Sequence, residues 1–115
     1  MKKIIVLSAV LAMGWASCTF EKGDAPSLGC TNMFYSTDIQ PIITAKCTTP
    51  GCHVSGGAGP GDFTIYTELK AKVDGGLFKN RVFVLKDMPQ AGSPPLTDGE
   101  LGKLKCWVEQ GAQNN

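Results

Sequence analysis

The stretch Cys47-Thr48-Thr49-Pro50-Gly51-Cys52-His53 constrains this chain more than any other. It holds two cysteines and, directly after the second, the only histidine in the sequence. Chance seats a single histidine at that place about once in a hundred chains of this length, so the adjacency carries information. Two thiols followed at once by an imidazole suit one chemistry in particular. The thiols add to the two vinyl groups of a porphyrin, and the imidazole lies under the iron as its proximal ligand. Cys47 and Cys52 are thus the expected covalent attachment points of a haem, and His53 its proximal ligand. The spacing is C-x4-C-H, two residues longer than the usual C-x-x-C-H. Pro50-Gly51 is a dipeptide suited to a tight turn, and such a turn absorbs the extra length. Two other readings use the same residues. One is a Cys47–Cys52 disulfide, redox or structural. The other is a zinc site formed by Cys47, Cys52, His53 and Cys106, which ranks last because zinc prefers shorter cysteine spacings.

The chain has 115 residues, enough for one domain. A domain this small has a limited core and gains from a disulfide, a metal or a cofactor. A buried porphyrin would supply much of the missing apolar surface. The net charge is +1 with the histidine neutral, and no basic patch stands out. That balance excludes nucleic acid as an expected partner.

Met1-Lys2-Lys3 is a short basic start, and Ile4 to Ala12 is an apolar run of signal-peptide length, too short to span a bilayer. Small residues Ala16-Ser17 then precede Cys18. This pattern resembles a bacterial lipoprotein signal over 1–17, with Cys18 lipidated as the mature N-terminus; the plainer alternative is an ordinary secretory signal that leaves Cys18 as a free thiol. Either way the expectation is export to an oxidising compartment, the periplasm or cell envelope, with membrane attachment through Cys18 in the first case. Residues 18–29 read as a flexible tether, because Glu21 to Gly29 has no apolar periodicity. Residues 30–115 form the domain.

Five cysteines can then be apportioned. Cys18 goes to the lipid, Cys47 and Cys52 to the porphyrin. Cys30 and Cys106 remain, one at each end of the domain, and an exported protein seldom keeps two exposed thiols free. A Cys30–Cys106 disulfide is expected, with two separate buried cysteines as the alternative.

Within the domain, Thr37 is the expected cap of a helix that begins at Asp38, carries Ile39, Ile42 and Ile43 on one face and runs into Cys47. Glycines 56, 57, 59 and 61 follow the histidine. A phosphate-binding loop is excluded there, since no Gly-Lys-Ser/Thr follows, and a loop folding around one edge of a flat cofactor is the better account. Thr64 is the expected cap of a second helix, Ile65 to Val73, stopped by Gly75-Gly76. Leu77 to Leu85 is either a short helix or a strand; a lone strand would lack a partner, so helix is preferred. Met88-Pro89 comes next. Met88 is the natural sulfur donor to the far side of the iron, where a thioether raises the reduction potential, and Pro89 stiffens the loop that presents it. The plain alternative is core filler. Thr97-Asp98-Gly99-Glu100 fits a capping box, with Leu96 and Leu101 as its hydrophobic staple. The helix it opens has Leu101, Leu104, Trp107 and Val108 on one face and ends at Gly111. Trp107 is most simply a core residue.

Taken together, the chain resembles a small class I-type monohaem cytochrome c domain, in particular the exported cytochrome c-like domains of bacterial lipoproteins. The matching residues are Asp38-Ile39-Gln40-Pro41-Ile42, Cys47 to His53, Met88-Pro89, Leu96-Thr97-Asp98 and Trp107-Val108-Glu109-Gln110-Gly111-Ala112. The resemblance covers about Cys30 to Ala112. It departs from the family pattern in the longer cysteine spacing and the short segment from His53 to Met88. It implies an all-α fold, about four helices around a covalent haem, with the first and last helices crossing and His53 and Met88 on opposite faces of the iron. It also implies an electron carrier, not an enzyme, that takes electrons from one redox protein and gives them to another. The rival functions are a haem domain with an open sixth position for a small gas or peroxide, and a haem-free module held by zinc or disulfides.

Overall fold

Tyr35 is where regular structure begins in the computed structural model, which describes residues 29–115. The expected signal segment 1–17, the expected lipidation site Cys18 and the expected tether up to residue 28 lie outside the described residues. Among the described residues all regular structure is helical. A wide, π-type segment Tyr35–Ile39 runs on into helix α1, Gln40–Lys46. Helix α2 spans Tyr66–Asp74. Helix α3, Leu77–Lys79, continues into a second wide segment, Asn80–Val84. Helix α4 spans Asp98–Glu109.

The first helical stretch starts three residues earlier than Thr37 as a cap would allow. Asp38 is responsible: its carboxylate reaches back and accepts from the Phe34 N–H at 3.0 Å. Asn115 also accepts from two N–H groups there, through its side chain from Tyr35 at 2.8 Å and through its carbonyl from Ser36 at 3.0 Å. Donors that would be orphaned at a helix start are thus satisfied by groups downstream, and Thr37 is not needed. Thr64 likewise does not cap α2, which begins at Tyr66; its N–H and hydroxyl both turn to the Asp62 carboxylate.

The stop signals are where the sequence puts them. Gly76, with φ +78, follows α2, and its N–H reaches the Val73 carbonyl at 3.0 Å. At the end of α4 the Gly111 N–H bonds the Val108 carbonyl and the Ala112 N–H bonds the Trp107 carbonyl, at 3.1 and 2.8 Å. That is the paired closure of a Schellman motif, and Gly111 at φ +92 supplies the left-handed residue it needs. Leu77 to Val84 is helical, one residue short of the expected Leu85, and among the described residues there is no strand for it to pair with.

The capping box of α4 forms in both directions. Glu100 N–H donates to the Thr97 hydroxyl at 3.2 Å, and Thr97 N–H donates to the Glu100 carboxylate at 2.8 Å. Thr97→Ala should therefore lower stability by about 1 kcal/mol, measured as a shift in the urea midpoint with an unchanged slope. Helix α4 packs its buried face onto the first helical stretch. Trp107, fully buried, stacks on Tyr35 with ring centroids 5.7 Å apart, and Tyr66 meets the edge of Tyr35 at 5.0 Å. The Trp107 indole N–H is satisfied by the Gln113 carbonyl at 3.0 Å, so Trp107 is a core residue. Ile39, Ile43, Leu69 and Leu104 complete the dry interior. Cys30 and Cys106 are joined in a disulfide, which ties the start of the domain to α4.

Candidate cofactor cleft

Helix α1 delivers Cys47 as its C-cap, with the Cys47 N–H bonded to the Ile43 carbonyl at 2.9 Å. The loop beyond is closed by its own backbone. Cys52 N–H donates to the Thr49 carbonyl at 3.0 Å across Pro50-Gly51, and Gly51 sits at φ +84. Proline second and a positive-φ glycine third is the requirement of a type II turn. His53 N–H then donates to the Cys47 carbonyl at 3.1 Å. Two extra residues are thus folded into one turn, and the loop ends where it began.

The glycine-rich segment folds back over this loop. Ala58 N–H reaches the Gly51 carbonyl at 2.9 Å, and Gly59 N–H reaches the Cys52 carbonyl at 3.3 Å. A Cβ on Gly59 would stand 2.7–2.9 Å from three ring atoms of His53, so Gly59 lies flat against the imidazole. Phe63 stacks on that ring with centroids 4.0 Å apart and planes 4° apart. Both neighbours cannot share a face at these distances. The imidazole is therefore clamped between Gly59 and Phe63. Its Nδ1 is buried and has no hydrogen-bond partner among the described residues, and the ring lines the cavity described below. A buried nitrogen left unpaired is costly. Phe63 went unnoticed in the sequence; the signal for it was a lone aromatic in a glycine-rich run ten residues past the histidine.

Cys47, Cys52, His53 and Met88 all line one cavity of about 340 Å³. That volume falls in the range of small-molecule and cofactor sites. Its walls are mainly apolar, with Phe63, Phe78, Val82 and Leu104 among them, and Lys46, Lys72 and Arg81 stand on its border. Cys47 and Cys52 are free thiols, unpaired with each other. Burial, with Cys52 adding to it, pushes the Cys47 thiol up to about 12, so at neutral pH it keeps its proton. The Thr49 hydroxyl lies 3.2 Å from the Cys52 sulfur.

Comparison with protein-family models, curated proteins and solved structures gives no match. The cleft must therefore be read from its own chemistry. A zinc site built with Cys106 does not form, because Cys106 is spent in the disulfide with Cys30. Among the described residues no three of His, Cys, Asp and Glu gather as a metal-holding group. Met33, the other described methionine, packs against the core and does not line this cavity, so Met88 is the methionine at the cleft.

Proposed function

We propose that the protein is an electron carrier that holds one covalently attached c-type haem in a cytochrome c-like helical shell. The reading rests on one observation: both thiols, the sole histidine and Met88 line the same apolar cavity. Cys47 and Cys52 would hold the porphyrin through its vinyl carbons, His53 would take the iron through Nε2, and Met88 would take it through sulfur. When bound, the haem supplies a one-electron ferric–ferrous couple.

The chain's own residues do the rest. Gly59 and Phe63 fix the plane of the imidazole, so little freedom is lost on binding iron. A thioether favours ferrous iron and raises the potential. Phe63, Phe78 and Leu104, all buried, keep water from the interior side of the cleft and lower its dielectric. Two protein ligands leave the iron no position for a substrate, which makes a carrier the better reading than an enzyme. Export with a lipid on Cys18 would keep it near membrane redox partners, a donor and an acceptor protein.

The test is a haem stain on a denaturing gel of protein made in cells able to attach haem. Only covalent haem survives denaturation, so a stained band at the mass of the chain is expected, and Cys47→Ala with Cys52→Ala should abolish it. A colourless wild-type band ends the reading.

A further inference from the structure

Arg81 sits one turn before the loop that carries Met88 and closes that loop in two ways. Its carbonyl accepts from the N–H groups of both Asp87 and Met88, at 3.1 and 3.4 Å. Its Nε–H is shared between the two carboxylate oxygens of Asp87, at 2.7 and 2.9 Å. Between them the chain reverses through Lys86, which holds φ +53, a value that side-chain-bearing residues adopt only when their surroundings impose it. Arg81 also lines the cavity that Met88 lines.

We propose that the Arg81–Asp87 pair is a positioning device that holds the Met88 sulfur at the cleft. The inference rests on the reading of Met88 as an iron ligand. Both partners are about 43–44% exposed, so the pair contributes little to global stability. Its consequence is geometric. Without it the reversal at Lys86 keeps only two backbone bonds, one of them long, and the sulfur spends part of its time away from the iron. Arginine suits the role because its planar group fixes direction where an ammonium does not.

The experiment uses the haem-loaded ferric protein and reads the weak near-infrared band of methionine–iron bonding, the reduction potential and the thermal midpoint of the helical signal. Arg81→Gln and Asp87→Ala should weaken the band and lower the potential, with the thermal midpoint nearly unchanged. Asp87→Asn keeps an acceptor oxygen in place and should restore part of both. Lys70→Gln, which breaks the exposed Lys70–Asp74 pair on α2, should change none of the three. Band and potential unaltered in both Arg81→Gln and Asp87→Ala overturn the proposal. So does a loss of band that merely tracks a large fall in midpoint. A stained, haem-bearing wild type that lacks the band overturns the Met88 ligand and this inference together while leaving the haem in place; an unstained wild type is the separate failure of the haem itself.

Discussion

Gly59→Ala is expected to leave haem attachment intact while disturbing the bond from His53 to iron. The added methyl carbon would lie 2.7 Å from Nδ1 and 2.9 Å from Cε1 and Cγ of the imidazole. Real carbons do not sit that close, so something must give. The ring cannot retreat, because Phe63 stacks on its other face at 4.0 Å. Either the ring swings out of the clamp or the glycine loop lifts, and the loop is held by bonds from Ala58 and Gly59 to the carbonyls of Gly51 and Cys52. Overpacking of this kind costs about 1–3 kcal/mol. The thiols of Cys47 and Cys52 lie outside the clash, so the haem stain should persist. The ferric absorption spectrum should shift away from that of two strong axial ligands. Gly57→Ala is the harsher change. Its methyl carbon would stand 1.9 Å from the Cys52 carbonyl oxygen, a backbone atom that cannot swing aside, and the yield of folded protein should fall. A Gly59→Ala protein with the spectrum and thermal midpoint of the wild type would refute the clamp.

The clamp was not legible in the sequence, although the histidine it holds was. Features set by neighbours in the chain were legible. Thr97 and Glu100 are three residues apart and cap each other in both directions. Pro50-Gly51 makes the turn its residue types demand, and Gly76 and Gly111 end their helices because a positive φ is cheap only for them. Of the features set by distant parts, the Cys30–Cys106 bridge was legible because cysteine chemistry marks both ends, whereas contacts between residues without such a mark were not. At the start of the first helical stretch Asp38 accepts locally from Phe34, but the Tyr35 N–H is satisfied by Asn115, 80 residues on. No local rule finds such a partner. The wide turns at Tyr35–Ile39 and Asn80–Val84 belong to the same class, since 3.6-residue periodicity does not announce an inserted residue. At the cleft, Cys47, Cys52, His53 and Met88 were named by their chemistry. Phe63 and Gly59 lie on the His53 ring, and Arg81 bonds the backbone of Met88; contacts of that kind appear only when the two residues are placed side by side.

Removing the Cys30–Cys106 bond should lower stability far more than its place at the edge of the fold suggests. The bridge closes a loop of 76 residues, nearly the whole described domain. In the chain-entropy account a loop of that size is worth roughly 4 kcal/mol, because the cross-link excludes most extended conformations of the unfolded chain. For a domain this small, that corresponds to a fall of roughly 15–30 °C in thermal midpoint. Folded-state contacts cannot supply a loss of this size. Cys30 itself is only partly buried, and the segment after it stays tied without the bridge. Met33 N–H donates to the Gln110 side chain, and Gln110 donates to the Thr31 carbonyl, each at 2.9 Å. Those bonds keep residues 31–33 on α4 in the folded protein, so Cys30→Ser with Cys106→Ala should retain the native helical signal at low temperature. Cys106 is buried, so alanine is the better replacement there than a hydroxyl left without a partner. If the effect lies in the unfolded chain, reduction of the wild type and the double substitution should give the same midpoint. A loss under about 1 kcal/mol would instead mean that residues 30–34 fray independently of the rest, which makes the bridge a local tie and removes the entropic argument.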